Sequence, residues 1–246
     1  MAVIAVYSVK GGVGKTTLAA NLAWCASQES GWNTLLWDID AAGGAGFLLG
    51  VDVVPKRAAD SVFSRERSPE KSIVPTPFPR LDLLPADRSL WALDAQLAAL
   101  GKKRRLARLT EALGKTYPRI ILDCPPVLNQ ISAQAMRAAD VVIVPLPPSP
   151  LSSRAFALVA EEIKGSGKRH PPMLPVLSMV DRRRTLHREA IAANPDWPVI
   201  PHASAIEQCA VQRAPLATFA ASSGPARDFA NLWRAIERKL MRRSAK

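Results

Sequence analysis

Short apolar runs alternate with amphipathic stretches along most of the chain. The runs are rich in β-branched residues and have the length of buried strands in a parallel sheet. Between them, apolar positions recur at helical spacing. We predict strands at Ala2–Tyr7, Asn33–Asp40, Leu81–Pro85, Ile120–Asp123, Val141–Pro145 and Met173–Met179. We predict helices at Thr16–Ser27, Leu90–Leu100, Lys103–Leu113, Ile131–Ala139 and Ser152–Lys164.

This alternation of strands and helices predicts the α/β class, with a mostly parallel sheet and helices on both faces. A length of 246 residues fits one domain over 1–246, and no internal repeat or linker divides the chain. The least regular stretch is Val51–Pro79, with five prolines and mixed charge, which we expect to be a surface excursion.

The last segment, at about 226–243, is amphipathic and basic. Its apolar positions follow the spacing of one helical stripe: Phe229, Leu232, Trp233, Ile236 and Leu240. Arginines and a lysine occupy the other faces. Two interpretations remain open, a terminal helix packed on the sheet with a solvated basic side, and a helix that lies on a membrane surface.

Composition excludes several classes of protein. No stretch free of Asp, Glu, Lys and Arg exceeds 13 residues, which excludes a membrane-spanning helix. The three cysteines lie far apart, so neither a disulfide framework nor a zinc site is expected. The apolar start carries no basic leader, and we expect a cytoplasmic protein.

Net charge is distributed unevenly along the chain. The whole sequence has 33 basic and 21 acidic residues, for a formal charge of +12. From residue 101 onward there are 24 basic and 11 acidic residues, so the excess lies in the second part. The asymmetry favours a polyanionic partner, either nucleic acid or an acidic membrane surface, although a surface tuned for solubility has the same pattern.

The strongest local pattern is a glycine-rich loop between the first strand and the first helix. The loop reads K-G-G-V-G-K-T-T and comprises Lys10, Gly11, Gly12, Val13, Gly14, Lys15, Thr16 and Thr17. Glycines let successive backbone N–H groups surround an anion, and the helix directs its positive end at the same place. Lys15 would neutralise the β- and γ-phosphates of a nucleotide, and the Thr16 hydroxyl would bind Mg²⁺.

Acidic residues follow two of the predicted strands. Asp38 and Asp40 end the second strand, and Asp123 ends the run R-I-I-L-D. The carboxyl ends of parallel strands form the edge of the sheet where ligands bind. Asp123 therefore matches the Walker B arrangement, in which a carboxylate holds Mg²⁺ directly or through water. Asp38 and Asp40 are either part of the same site or acids that only end a strand.

The loop departs from the ordinary phosphate-binding pattern, because Val9 replaces its first glycine and Lys10 adds a second lysine. With the Asp-Cys-Pro-Pro run at Asp123, it resembles the deviant Walker A family of ParA and MinD ATPases over most of the chain. The resemblance implies a P-loop NTPase fold, the cofactors ATP and Mg²⁺, and a homodimer in the ATP-bound state. It implies catalytic roles for Lys10, Lys15 and Asp40. Lys10 would contact the partner's phosphates, and Asp40 would orient the attacking water.

Further roles are implied by the same resemblance. The metal side would comprise Thr16, Asp38 and Asp123, and Met179 and Pro201 would wall the adenine. The family usually continues the Asp38–Asp40 motif with a polar pair such as Pro-Gln, whereas this chain has Ala41 and Ala42. This departure changes the residues next to the predicted water-orienting Asp40 and does not by itself define the turnover rate. Weak intrinsic ATPase activity is expected. The chain begins at its first strand, as in the short ParA-type subgroup of partition and positioning ATPases.

Short ParA proteins bind double-stranded DNA without sequence preference as ATP dimers. The resemblance thus implies a nucleoid-associated protein, a ParB-like or cargo adaptor, and DNA contacts from Arg182, Arg183, Arg184, Arg213, Arg238 and Arg242. A MinD-like ATPase on a membrane surface, regulating division or a polymer-secretion machine, is the alternative, although a membrane partner is not expected. An ATPase coupled to metal or electron transfer, like nitrogenase iron protein, would need a cysteine motif that Cys25, Cys124 and Cys209 do not form.

Overall fold

A computed structural model describes residues 1–52, 68–87, 89–90, 104–165 and 170–244. Its centre is a sheet of eight strands in the order β3-β4-β2-β5-β1-β6-β7-β8. The strands are β1 Ala2–Val6, β2 Thr34–Asp38, β3 Val74–Pro75, β4 Leu81–Leu84, β5 Arg119–Asp123, β6 Val141–Leu146, β7 Met173–Val180 and β8 Val199–Pro201. Neighbouring strands are parallel except for β3 and β4, which are antiparallel.

Helices alternate with these strands. They are α1 Lys15–Trp24, α2 Gly44–Leu48, α3 Arg105–Leu113, α4 Gln130–Ala138, α5 Pro150–Gly165, α6 Thr185–Ala193, α7 Ser204–Gln212, α8 Ala217–Ala220 and α9 Gly224–Ser244. Helix α1 continues into a wider π-helical turn, Cys25–Glu29, and a 3₁₀ turn covers Pro69–Ser72. No helix within these described ranges is long and apolar enough to cross a membrane.

Both faces of the sheet are covered, as the near-continuous apolar strands predict. Successive residues of β1 point into different cores, with Val3 and Ala5 in one and Ile4 and Val6 in the other. The first core is closed by α3, α4 and α5, and the second by α1, α2 and α9. The predicted α/β class, with a mostly parallel sheet between helices, is confirmed.

Helix α9 uses its apolar stripe to pack on the sheet. Phe229, Leu232, Trp233, Ile236 and Leu240 are all buried in the second core. The Trp233 indole N–H also donates to the Ser30 hydroxyl at 2.7 Å. This packing agrees with the terminal-helix interpretation, and it leaves the apolar stripe covered by protein rather than available to a membrane.

Most predicted strands and helices lie within a few residues of the observed ones. The predicted helix at Leu90–Leu100 and most of Val51–Pro79 fall outside the described residues. The hydrophobic pattern of the sequence did not predict β3, β8, α2, α6, α7 and α8. Each of these elements is too short, or has too many exposed positions, to show a clear apolar period.

Candidate functional site

The phosphate-binding loop lies at the carboxyl end of β1, a central strand between β5 and β6. Gly12 and Gly14 have φ values of 70° and 84°, in the left-handed region that favours glycine. A Cβ added at Gly11, Gly12 or Gly14 would meet no other atom within 4 Å. The loop therefore keeps its outer face clear of side chains, and the first turn of α1 has no side-chain cap. Backbone N–H groups thus remain available for an anion.

The Lys15 side chain is held against the backbone of this loop. It is buried, and the Nζ atom donates to the Lys10 carbonyl oxygen at 3.4 Å. Burial lowers the pKa of Lys15, while the negative charges of Asp123 and Asp40 oppose that shift. The cation and these two carboxylates therefore belong to one electrostatic site, as their strand-end positions predict.

Asp123 is the feature of this site that fits a metal ion best. It is fully buried, and neither carboxylate oxygen has a hydrogen-bond partner among the described residues. Burial raises the pKa of Asp123, and Thr16 and Lys15 partly oppose the rise. Buried acceptor oxygens are costly unless a cation or a donor satisfies them. A magnesium ion held by the Thr16 hydroxyl and Asp123, with phosphates and water completing its shell, suits this donor set.

Asp38 is placed differently from Asp123. Its two oxygens accept backbone N–H groups, Oδ1 from Asp40 and Oδ2 from Ala45, each at 3.0 Å. Burial and the neighbouring Asp123 raise the pKa of Asp38 well above its ordinary value. The carboxylate therefore shapes the turn between β2 and α2, in addition to lying beside the predicted metal side. No group of three or more His, Cys, Asp or Glu residues suited to a metal occurs in the described ranges.

A cavity of about 170 Å³ opens next to the loop. It is lined by Val13, Gly14 and Thr17 of the loop region, and by Met179 and Pro201 from the ends of β7 and β8. The structure therefore brings the two predicted adenine-wall residues to the same cavity as the phosphate-binding loop. Met179 has a φ of 54°, which is uncommon for a side chain with a Cβ, and lies in β7 where its pairing with β8 shifts register between Leu177 and Val180.

Three polar residues near this cavity escaped the sequence analysis. The Ser178 hydroxyl lines the cavity, is buried and has no partner within the described part of the chain. The Nε2 atom of His202 and the Oε1 atom of Glu207 lie 3.2 Å apart at the exposed rim. Single serines and histidines carry no spacing pattern, so only their position beside the cavity identifies them.

Lys10 lies at the start of the loop and is half-buried. The described residues supply no carboxylate partner for its ammonium group. Exposed apolar side chains surround this edge of the sheet, at Val127 and Leu128 after β5 and at Leu151 after β6. The Tyr7 hydroxyl donates to the Val127 carbonyl at 3.2 Å, which places that loop against the end of β1. The loop that contains Lys10 and these exposed apolar side chains therefore lie at the same edge of the sheet.

The predicted DNA-contacting arginines do not form one patch in this structure. Arg182, Arg183 and Arg184 lie between β7 and α6, on the nucleotide-loop side of the sheet. Arg183 is engaged with Asp181 through two side-chain hydrogen bonds of 2.9 Å. Burial raises the pKa of Asp228, near the start of α9, and the nearby Arg182 and Arg227 partly oppose that rise, so Arg182 lies close to this carboxyl. All three arginines are exposed, and Arg183 differs from the other two in having a carboxylate partner within the described residues.

The other three arginines are elsewhere. Arg238 and Arg242 are exposed on the last part of α9, where Arg238 shares a groove with Trp32 at the opposite edge of the sheet. A helix rises about 1.5 Å per residue, so Arg238 is about 15 Å along α9 from Asp228. Arg213 lies beyond the end of α7, where its guanidinium binds Asp52 and the Phe47 carbonyl. The six residues therefore occupy three separate locations.

Comparison with known proteins identifies the family. Residues 1–174 match the family model AAA_31, described as an AAA domain. The chromosome partitioning protein ParA of Caulobacter vibrioides is 35% identical over 202 residues, covering 76% of this chain and 73% of that protein.

Solved structures agree with this assignment. The apo McdA structure from Cyanothece superposes with a TM-score of 0.84 at 22% identity, covering 96% of this chain and 99% of McdA, and shows the same fold. The septum site-determining protein MinD of Pyrococcus horikoshii, complexed with Mg-ADP, has a TM-score of 0.80 at 25% identity, covering 96% and 95% of the two chains. The chain belongs to the ParA/MinD family of P-loop ATPases.

Proposed function

We propose that this ATPase binds Mg-ATP at the loop of residues 10–17, dimerises in the ATP state and binds double-stranded DNA without sequence preference. In this proposal it positions a plasmid, a chromosome region or a protein cluster on the nucleoid of the cytoplasm. The partitioning relative supports a positioning role, and the basic second part of the chain supports a polyanionic partner.

The observation that carries the proposal is the position of Lys10, a second lysine in the phosphate-binding loop whose backbone carbonyl accepts the Lys15 ammonium group. Within the described residues this lysine has no carboxylate partner, although it adjoins a site built for a triphosphate. A fixed cation next to such a site stabilises charge that develops during phosphoryl transfer. The loops at the same edge of the sheet expose Val127, Leu128 and Leu151, an apolar surface that a second copy of the chain would cover.

Each residue of the site has a role in hydrolysis under this proposal. A bound magnesium ion would supply positive charge that offsets the negative charge of the phosphates. Thr16 and Asp123 would hold it, and Asp38 would fix the turn that presents Asp40. Asp40 would orient the water for in-line attack on the γ-phosphorus, while Lys15 and the partner's Lys10 stabilise the phosphate charge. Weak intrinsic turnover is expected, because Ala41 and Ala42 offer no polar side chain beside Asp40.

Hydrolysis would then control association. If Lys10 acts across an interface, the dimer exists while ATP is bound and dissociates after hydrolysis. A ParB-like or cargo adaptor would bind the dimer and determine when ATP hydrolysis dissociates it. DNA would be contacted by Arg182 and Arg184 near the nucleotide edge, and by Arg238 and Arg242 on α9.

Sedimentation with ATP, with ADP and without nucleotide tests this function, together with ATP binding and DNA retention. The wild type is expected to dimerise and bind DNA with ATP alone. Lys15→Ala should abolish ATP binding, and Lys10→Ala should bind ATP as a monomer. Asp40→Ala should form an ATP-stabilised dimer with slow turnover. A wild type that stays monomeric at saturating ATP would contradict the dimer, and unchanged nucleotide affinity in Lys15→Ala would contradict the site.

A further inference from the structure

Arg213 adopts a backbone conformation that needs an explanation. It follows the last residue of α7 and has a φ of 51°, in the left-handed region. Helices often end in this conformation, but glycine usually occupies the position because it has no Cβ. A side chain that persists there is usually held by contacts that compensate for the strain.

Those contacts all come from the segment around α2. The Arg213 guanidinium makes two bonds to the Asp52 carboxylate, Nη2 to Oδ1 at 2.6 Å and Nη1 to Oδ2 at 3.1 Å. Its Nε donates to the Phe47 carbonyl at 3.2 Å. The guanidinium carbon also lies 4.9 Å from the centre of the Phe47 ring. We call this set of contacts among Arg213, Phe47 and Asp52 the clasp.

The other end of α2 touches the predicted nucleotide site. The Ala45 N–H donates to Oδ2 of Asp38 at 3.0 Å. A Cβ added at Gly44 would lie 3.2 Å from the Thr16 methyl carbon, so α2 packs directly against that residue. Because α2 has only five residues, a shift at Phe47 is transmitted to Ala45 within a single helical turn.

Helix α7 is likewise connected to the cavity beside the loop. Ile206, Glu207 and Ala210 of α7 line that cavity. After Arg213, the Leu216 N–H donates to Oδ1 of Asn21, a buried residue of α1, at 2.8 Å. The Asn21 amide in turn donates to the Thr17 carbonyl at 2.8 Å. Arg213 is therefore fixed from the inside by α1, and its side chain reaches outward to α2.

We propose that Arg213 is a positioning residue for ATP hydrolysis, which holds α2 and thereby the Asp38–Asp40 turn in register with Thr16. This inference rests on the proposed function and assigns Arg213 to the ATPase site rather than to DNA. It also links the helix that walls the nucleotide cavity to the carboxylates of the metal side. An exposed ion pair alone would contribute little, but four contacts on one planar guanidinium define a position.

Arg213→Gly is the most informative variant. Glycine adopts the required φ without strain, so the turn is retained while the clasp is lost. We expect kcat for ATP hydrolysis to fall about tenfold with KM little changed, because small misplacements of reacting groups cost rate rather than ground-state binding. Without nucleotide, hydrogen exchange of the amides in residues 44–50 should become faster.

Asp52→Asn separates the clasp from any role of the cation itself. It removes the charged partner and keeps Arg213, so it should lower kcat and accelerate exchange as Arg213→Gly does, without weakening DNA retention. The double variant should be no worse than the more affected single variant, because both changes break the same contacts. Arg227→Gln, which removes an exposed arginine outside the clasp, is the matched control and should behave as wild type in hydrolysis.

Several outcomes would overturn the inference. Unchanged kcat and unchanged exchange in Arg213→Gly would show that the clasp does not position the site. Loss of DNA retention with unchanged kcat would show that Arg213 acts in DNA binding rather than in hydrolysis. If the wild type hydrolyses ATP no faster than Lys15→Ala, the proposed function itself fails, and this inference fails with it. If the wild type hydrolyses ATP faster than Lys15→Ala, the ATPase function stands. A negative result in Arg213→Gly then contradicts only the role assigned to Arg213.

Discussion

At the scale of single residues, a side chain's charge state depends on which of its atoms are already engaged. His187 illustrates this in the arginine loop before α6. It is buried, and its Nδ1 accepts the Asp181 N–H at 2.9 Å. That bond requires Nδ1 to be unprotonated. Burial lowers the pKa of His187, the nearby Arg184 lowers it further, and Asp181 opposes the shift.

His187 should therefore make the stability of the fold depend on pH. The unfolded chain binds the proton more readily than the folded protein does, because the folded pKa is the lower one. The contribution of His187 is fully present above the unfolded pKa of about 6.5 and is lost as pH falls towards the folded value. Denaturant unfolding at pH values between about 7.5 and 5.5 measures this loss as a decreasing free energy of unfolding.

His187→Asn supplies the control, because its Oδ1 can accept the same N–H and does not titrate. The difference between wild type and variant should shift in favour of the variant as pH decreases. A difference that stays constant over this range would contradict the titration of His187.

At the scale of elements, a buried ion pair fixes where α9 crosses the sheet. Arg119 at the start of β5 makes two bonds to Glu237 of α9, of 2.6 and 2.7 Å. The Arg119 guanidinium also lies 4.6 Å from the ring centre of Trp32. This pair is at the edge of the sheet opposite the phosphate-binding loop. It therefore acts on the docking of α9 and not on the nucleotide site.

Glu237→Gln should destabilise the protein by roughly 3 kcal/mol, because removal of one partner leaves the other charge buried and uncompensated. Urea unfolding of wild type and variant measures the change. Replacement of both residues, Arg119→Met with Glu237→Leu, should recover most of the lost stability, since a well-packed apolar pair needs no counter-charge. A double variant as unstable as the single one would show that the pair has a further role, and ATP affinity should change in neither.

At the scale of the whole molecule, charge and shape determine how a polyanion can bind. Among the six predicted arginines, those that are exposed and form no ion pair with a described residue fall into two groups, Arg182 and Arg184 near the nucleotide edge and Arg238 and Arg242 on the last turns of α9. The first group lies near Asp228 at the start of α9, and the second lies on the last turns of that helix. One phosphate therefore cannot contact both groups. A DNA duplex would have to extend over the protomer, or over a dimer, to use the two groups together.

The two groups should therefore contribute independently to DNA binding. Each double variant, Arg182→Gln with Arg184→Gln or Arg238→Gln with Arg242→Gln, should reduce the salt dependence of log affinity by about 1.8 if both arginines contact phosphates. The four-residue variant should show the sum. Arg183→Gln serves as the control, because Arg183 is already paired with Asp181 and should matter less. An unchanged salt dependence in the α9 variant would restrict DNA to the loop group.

Local sequence determined the phosphate-binding loop and most strands of the sheet. Glycines at positions 11, 12 and 14, the two lysines of the loop and the acids at strand ends are encoded within a few residues of one another. Their chemistry depends on short-range backbone geometry, so the strand, loop and helix could be predicted without tertiary contacts. Most strands of the sheet were likewise predictable, because parallel strands buried on both faces are nearly continuous apolar runs.

Only the tertiary structure decided which of those groups remain available. It gave both oxygens of Asp38 backbone partners and left those of Asp123 without any in the described residues. It engaged Arg213 with Asp52, 161 positions away, and separated the arginines that charge alone had grouped. Whether a carboxylate or a cation is free depends on contact partners that are distant in sequence. Neither the composition nor a local motif shows which distant residues those partners are.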